Sequence, residues 1–158
     1  MQDGLALEFS RAHLAAWNHD VDGLRQCASY DSPDKRGNHP IHFACESRAI
    51  NVVEFLLDNG VSVNQPHAKN GRTPLHIAAL FGNHMLINIL VQKGAELKAI
   101  AFNGETPITL AERAEQPKTA NYLRHLQQIK LDTIDDKAVK VSPAKPAPHI
   151  MDIQISTP

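Results

Sequence analysis

Apolar residues recur along this chain in short bursts, each about two helical turns long, separated by polar stretches that contain glycine. Within one burst the apolar positions lie three or four residues apart, the spacing that places side chains on one face of a helix: Val52, Val53, Leu56 and Leu57. The corresponding positions of a later burst hold Leu86, Ile87, Leu90 and Val91. The pattern predicts pairs of short amphipathic helices.

The bursts belong to an internal repeat of 33 or 34 residues. The steps between Gly37, Gly71 and Gly104 are 34 and 33 residues. The same steps separate two further sets of residues, which are Pro40, Pro74 and Pro107, and Ala44, Ala78 and Ala111. A fixed period of this length is the mark of a stacked-repeat architecture, in which each unit buries its apolar face against its neighbours.

Each repeat carries recognisable start and stop signals for helices. Thr73 and Thr106 can cap a helix N-terminus through their hydroxyl groups, and the proline that follows each of them suits the first helical position. Gly60 and Gly94 suit the position just past a helix C-terminus. One repeat therefore reads as a turn followed by two short helices.

The segment from Thr73 to Ala78 reads Thr-Pro-Leu-His-Ile-Ala and resembles the T-P-L-H-x-A signature of the ankyrin-repeat family. The other copies depart from the family pattern, with His39 where Thr is usual, Arg48 where Gly is usual and Thr109 where His is usual. The resemblance implies an all-α solenoid of stacked helix–turn–helix units with β-turn tips. It also implies that His42 and His76, at one equivalent position, link neighbouring repeats by hydrogen bonds.

Four repeats can be counted, the first and last of them diverged, as terminal repeats often are. They fall near residues 5–33, 34–67, 68–100 and 101–130, within one predicted domain over 1–131. Residues 132–158 contain several prolines and lysines, and we expect a flexible tail there. Its segment Ile150–Ile155 has a weak strand-like alternation.

Composition argues against several classes of protein. The 16 Lys and Arg residues nearly balance the 17 Asp and Glu residues, so no broad positive field would attract nucleic acid or an anionic membrane. No apolar run approaches the roughly 20 residues that span a bilayer. The two cysteines, Cys27 and Cys45, lie in apolar helical patterns and are too few for a disulfide scaffold. A reducing, cytoplasmic location is expected.

The chemically interesting side chains do not assemble into a catalytic pattern. His39 and His42 are spaced like a pair of metal ligands, but no second pair completes a four-ligand set. Cys27 and Cys45 fall on inward-facing helical positions, where burial suppresses thiol reactivity. We therefore expect no enzyme activity, no metal and no cofactor.

The resemblance implies a concave face, built from the turn tips and the first helix of each repeat, that binds other molecules. The residues expected to bind a partner there are Trp17, Lys35, Arg36, Glu46, Lys69, Arg72, Leu80, Phe81, Phe102 and Arg113. Leu80, Phe81 and Phe102 should lie near one another, with basic side chains beside them. Packing of either Phe against a neighbouring helix, and simple solvation of the basic tips, remain open alternatives.

These features predict a monomeric protein–protein interaction module that binds another protein and performs no chemistry of its own. Two alternatives stay open. One is a bacterial effector or regulatory subunit that modulates a partner enzyme, acting in the host cytosol if it is secreted. The other is nucleic-acid binding through the basic turn tips, which would show a steep dependence on salt.

Overall fold

The computed structural model describes residues 10–139 of the chain, with side chains through residue 134. Four pairs of helices follow one another, and no strand interrupts them in this range. The pairs are α1 (Arg11–Trp17) with α2 (Val21–Arg25), α3 (Pro40–Glu46) with α4 (Ile50–Asp58), α5 (Pro74–Leu80) with α6 (His84–Gln92), and α7 (Pro107–Arg113) with α8 (Pro117–Val139). The all-α prediction is confirmed.

The first helices of the four repeats stack side by side, so that α1 packs on α3, α3 on α5 and α5 on α7. Each second helix packs against the first helix of its own repeat, which gives two layers. One continuous core runs between the layers through all four repeats, and its largest fully buried apolar members include Leu24, Ile41, Leu56, Leu75, Leu86, Leu90 and Leu123.

The predicted helix starts are present at the three prolines, and the predicted hydroxyl cap is present at Thr106, whereas the Thr73 hydroxyl lies 3.0 Å from His76 Nδ1. Pro40, Pro74 and Pro107 are the first residues of α3, α5 and α7, and all three are buried. At α7 the two threonines cap each other's backbone: the Thr106 N–H donates to Thr109 Oγ1 at 2.8 Å, and the Thr109 N–H donates to Thr106 Oγ1 at 3.3 Å. These bonds satisfy N–H groups that have no partner within the helix.

The turn tips also form a connected row. Gly71 has a φ of +69°, a conformation that favours glycine. Each tip contacts the next through backbone hydrogen bonds: the Ala68 N–H donates to the Gly37 carbonyl at 3.3 Å, and the Phe102 N–H donates to the Asn70 carbonyl at 2.9 Å. The tips and the first helices therefore present one continuous surface.

In each of the first three repeats, the first helix carries a buried histidine near its start. Groups of the same repeat hold the ring of that histidine in place. The His39 N–H donates to His42 Nδ1 at 3.0 Å, and the Thr73 N–H donates to His76 Nδ1 at 3.1 Å. A backbone N–H can only donate, so Nδ1 is the acceptor and the ring hydrogen is on Nε2. Each ring thus has a donor at Nε2.

That donor bonds a backbone carbonyl further along the chain. His13 Nε2 lies 2.9 Å from the Asn38 carbonyl oxygen, His42 Nε2 lies 2.9 Å from that of Gln65, and His76 Nε2 lies 3.1 Å from that of Glu105. We call these three side chains the histidine ladder. The predicted link to the following repeat is present at His76, and His13 makes the same link from the first repeat. The His42 bond ends on Gln65, in the segment that leads from α4 to the next turn tip.

The last repeat differs from the others at two positions: the position of the ladder histidine, and a position that is buried in the other three repeats. Thr109 replaces the ladder histidine, and no following repeat is stacked on α7 in the part of the chain described. The position that is a fully buried Ala16, Cys45 or Ala79 in the first three repeats is Glu112, which is exposed and paired with Arg124 of α8. This charged surface suits the solvent-facing end of a stack.

Two helix ends differ from the sequence expectation, one in the first repeat and one in the last. Helix α2 ends at Arg25, so that Cys27 lies just beyond it and is half-buried. Helix α8 continues to Val139, past the predicted boundary at 131, because no Gly or Pro follows Pro117 until Pro143. Residues 1–9 and 140–158, including the segment Ile150–Ile155, lie outside the described residues. None of the described helices combines the length and apolar character needed to cross a bilayer.

The loop between the two helices of each repeat passes through a left-handed residue. This residue is Gly82 in the third repeat, but His19, Arg48 and Glu115 in the other three, all with φ between 55° and 61°. We expect Arg48→Gly to be more stable than Arg48→Ala by about 1 kcal/mol, because only glycine adopts this conformation without strain. Urea unfolding of the two variants measures the difference, and identical midpoints would contradict it. The alanine variant controls for loss of the guanidinium group.

The histidine ladder can be tested with the residue that nature places in the last repeat. In His76→Thr the hydroxyl can still accept from the Thr73 N–H, as Thr109 does from Thr106, but it cannot reach the Glu105 carbonyl. We expect a loss of about 2–4 kcal/mol in the free energy of unfolding, from the unpaired carbonyl and the volume of the missing ring. The reverse change, Thr109→His, has no stacked repeat to reach among the described residues and should alter stability by less than about 0.5 kcal/mol.

Stability should also fall as the ladder is acidified. Burial lowers the pKa of His42 from 6.5 to about 4, so the folded protein favours the neutral ring. The stabilisation is complete above pH 6.5 and declines as the pH falls towards 4, with about 2 kcal/mol lost between pH 7 and pH 5. Urea unfolding across this range should show the decline, and His42→Thr should flatten it. An equally steep decline in the variant would exclude His42 as its source.

Candidate functional site

The C-terminal ends of the first helices carry a regular row of side chains. The last residues of the four first helices are Trp17, Glu46, Leu80 and Arg113, so these four predicted binding residues occupy equivalent places in successive repeats. Packed helices lie about 8–10 Å apart, which sets the step from one member to the next. We call these four residues the end row.

An apolar patch surrounds the first member of the end row. The Trp17 side chain is 49% exposed, and its ring meets that of Phe43 edge to face, with centroids 6.3 Å apart. Leu14, one turn before Trp17 on α1, is 53% exposed. Sequence reasoning missed Leu14 and Phe43. The sequence carried a signal for both residues, because each stands between a ladder histidine and a buried alanine of its helix.

The three apolar residues predicted to cluster are divided between two places. Leu80 ends α5 and Phe81 caps it, with Phe81 39% exposed. Phe102 is 71% exposed at a turn tip, where its ring lies so close to Gly71 that a Cβ on that glycine would come within 2.5 Å. Gly71 precedes α5, so about 10 Å of helix separates the two places. The three residues therefore lie towards opposite ends of α5, and their joint role in binding stays a prediction.

The predicted basic residues also fall into two groups. Glu105 holds Arg72 and Arg113, with Arg72 Nη2 at 3.3 Å and Arg113 Nη1 at 2.6 Å from its carboxylate oxygens. A hydrogen bond from Asn103, together with the charges of Arg113 and Arg72, lowers the pKa of the Glu105 carboxyl. The exposed tip residues Lys35, Arg36 and Lys69 form no ion pair with any described residue.

Glu46, the second member of the end row, is the acidic exception among the predicted residues. Its carboxylate has no hydrogen bond or ion pair with the described part of the chain, and burial raises its pKa. The side chain remains open to solvent on one side. Its neighbours in the row are Trp17 and Leu80, because α3 lies between α1 and α5.

The remaining candidates for chemistry do not form a reactive centre. Cys45 is fully buried, and burial raises the pKa of its thiol, while the half-buried Cys27 thiol donates to the Gly23 carbonyl at 3.2 Å. No group of three metal-ligating side chains occurs between residues 10 and 134. A groove of about 230 Å³ lies away from the concave face, between residues 96–98 and α8, and its lining includes Leu97, Leu131 and Ile134.

Known proteins resemble this chain over residues that form the stacked helix pairs. A family model described as "Ankyrin repeats (many copies)" covers residues 41–91. The chain is 30% identical to inversin of Gallus gallus over 132 residues, which are 80% of this chain and 12% of inversin. It is 29% identical to tyrosine-protein kinase Shark of Drosophila melanogaster over 129 residues, 79% of this chain and 14% of that protein.

A third relative has the repeats in its name. The chain is 29% identical over 102 residues to SH3 and multiple ankyrin repeat domains protein 2 of Homo sapiens, which is 65% of this chain and 6% of that protein. The chain thus spans a small fraction of the length of each relative. Because the family match includes two rungs of the histidine ladder, His42 and His76, and the two helix pairs that carry them, this chain belongs to the ankyrin-repeat family.

Proposed function

We propose that this chain is a protein–protein interaction module that binds a partner through its concave face and turn tips. Ankyrin repeats generally mediate interactions between proteins, and the family is typically non-catalytic. The proposal for this chain is narrower, because it assigns the contact to particular residues of one face. It also holds that the chain performs no chemistry of its own.

The observation that carries the proposal is the exposure of large apolar side chains along the concave face. Leu14, Trp17, Phe81 and Phe102 each expose between 39% and 71% of their surface. Large apolar groups gathered on one face are unfavourable in water and often mark an interface. The charged tip residues beside them give the arrangement of an apolar centre with a polar rim that protein interfaces commonly show.

The stack supports docking with little change of shape. The His13 and His76 bonds of the ladder join neighbouring repeats, and the core is continuous through all four repeats. A preformed surface avoids the cost of ordering the backbone when a partner binds. We therefore expect the partner, rather than this chain, to contribute most of any conformational change.

The charges of this face favour a protein over a nucleic acid as the partner. Arg72 and Arg113 both pair with the Glu105 carboxylate, which offsets one of their two positive charges and so reduces the basic surface that could attract phosphates. Glu46 lies on the same face and would repel a polyanion. Mixed charge beside apolar anchors suits a protein surface.

The enzyme activity that appears in the names of some relatives is not assigned to this chain. The match to tyrosine-protein kinase Shark covers only 14% of that protein, and the aligned part here is a stack of helix pairs. We also propose a cytoplasmic location, which the two free thiols Cys27 and Cys45 favour.

Affinity capture with matched variants tests the proposal. The bait is the full chain, and the site variant combines Trp17→Ala, Leu80→Ala and Phe81→Ala. The control combines Met85→Ala and Ile129→Ala, which remove exposed apolar groups from the second-helix layer instead. Wild type and control should retain the same protein, whereas the site variant should lose it.

The captured protein is then purified and titrated against the three forms. We expect the site variant to bind at least about 30-fold more weakly, since interface anchors contribute 2 kcal/mol or more. Circular dichroism and thermal melting confirm that the site variant is folded. Equal affinity of all three forms, with folding intact, would show that the concave face is not the binding site.

A further inference from the structure

The end row places an unpaired carboxylate between two apolar side chains. Trp17 and Leu80 lie on either side of Glu46, each about 8–10 Å away because their helices are packed neighbours. The Glu46 side chain makes no hydrogen bond or ion pair with the described residues, and desolvation alone raises its pKa. An anion in such a setting lacks the compensation that a nearby cation would give.

The helix that carries Glu46 adds to this disadvantage. Glu46 is the last residue of α3, at the negative end of the helix dipole, although the final-turn carbonyls up to Cys45 accept backbone N–H groups from the residues that follow. Anions are disfavoured and cations are favoured at this end of a helix. The position is therefore suited to a positive group on two independent grounds, the side chain and the helix terminus.

The chain's own cations do not fill this place. Arg113 of the end row is held by Glu105, as is Arg72. Arg48, two residues after Glu46, directs its Nη2 to the Phe81 carbonyl at 3.5 Å. The tip cations Lys35 and Arg36 lie before the start of α3, and the seven residues of that helix separate them from Glu46 by about 10 Å. The carboxylate is left open towards the face that we propose to be the binding surface.

We propose that the partner of this face is a protein segment in which an Arg or Lys, flanked on both sides by apolar residues, pairs with Glu46 while the apolar residues contact Trp17 and Leu80. This inference rests on the proposed function and adds the chemistry of the bound segment. The charge of the cation complements both Glu46 and the end of α3, and an Arg can also lie over the exposed face of Trp17.

The spacing of the end row sets the pattern of the segment. A step of about 8–10 Å corresponds to about three residues of an extended chain or about five to seven residues of a helix. The apolar residues therefore lie about three positions from the cation on each side if the segment is extended, and about five to seven positions if it is helical. The number of residues between the cation and the apolar residues in the selected peptides therefore shows whether the segment binds as an extended chain or as a helix.

A displayed library of random peptides about 16 residues long, long enough to cover two steps in either conformation, tests the proposal with the purified full chain. Selection on wild type should enrich Arg or Lys flanked by apolar residues. Parallel selection on Glu46→Lys should enrich Asp or Glu in the same place. The enriched wild-type peptides should bind Glu46→Gln at least about tenfold more weakly, and should bind the matched control Glu54→Gln, changed on the exposed side of α4, with unaltered affinity.

The outcomes separate this inference from the proposed function. Peptides that lose affinity on Trp17→Ala but bind Glu46→Gln as tightly as wild type would overturn the cation pairing and leave the concave face as the binding surface. Peptides indifferent to both changes, or a library with no enrichment, would count against the proposed function itself. Circular dichroism of each variant excludes loss of folding as the cause.

Discussion

The hydrogen bond from each ladder histidine to a backbone carbonyl further along the chain is the interaction on which the rest of the structure depends. The ring has two nitrogens with opposite roles. At His42 and His76, Nδ1 accepts from a backbone N–H at the start of its own helix, and at His13 it bonds the Ser10 hydroxyl. In all three rings Nε2 donates to a backbone carbonyl further along the chain. Both backbone groups would otherwise lack partners in a buried place. One side chain thus helps to cap the start of its own helix and sets the distance of that helix from the next one. The smaller Thr109 performs the first role alone, in the repeat where the second has no partner.

This linkage makes the fold easy to read from the sequence, because period and chemistry agree. The 34- and 33-residue steps placed the helix starts at Pro40, Pro74 and Pro107, and the structure has them there. The link between repeats that the ankyrin resemblance implied at His42 and His76 is present at His76, whereas the His42 bond ends on Gln65. The ends were less readable, since they lack repeated neighbours. The length of α8 depended on the absence of a stop signal, which is a weaker guide than the presence of one.

The candidate site was predicted only in part, for a physical reason. Sequence phase fixes which side chains point to the concave face, and it placed Trp17, Glu46, Leu80 and Arg113 correctly at equivalent helix ends. Phase does not say which long side chains then contact one another. Arg72 and Arg113 converge on Glu105 from different elements, and Phe102 lies over Gly71 at the tip, because flexible side chains and turns bring together residues with no shared period.

Two sets of equivalent positions in the four repeats have different roles. The ladder positions hold the stack together, and the end-row positions are those proposed to bind a partner. The ladder position is His in three repeats and a hydroxyl residue in the fourth, because its partners are backbone groups that every repeat supplies. The end row has a different side chain in every repeat, aromatic, acidic, aliphatic and basic in turn, and its contacts within the fold differ as well, with Trp17 against Phe43 and Arg113 paired with Glu105. A surface whose chemistry changes every 8–10 Å along a rigid support can recognise a sequence rather than merely an apolar patch. In the proposed mode of binding, specificity lies in the order of the end row, and the ladder preserves that order by keeping its members at fixed distances.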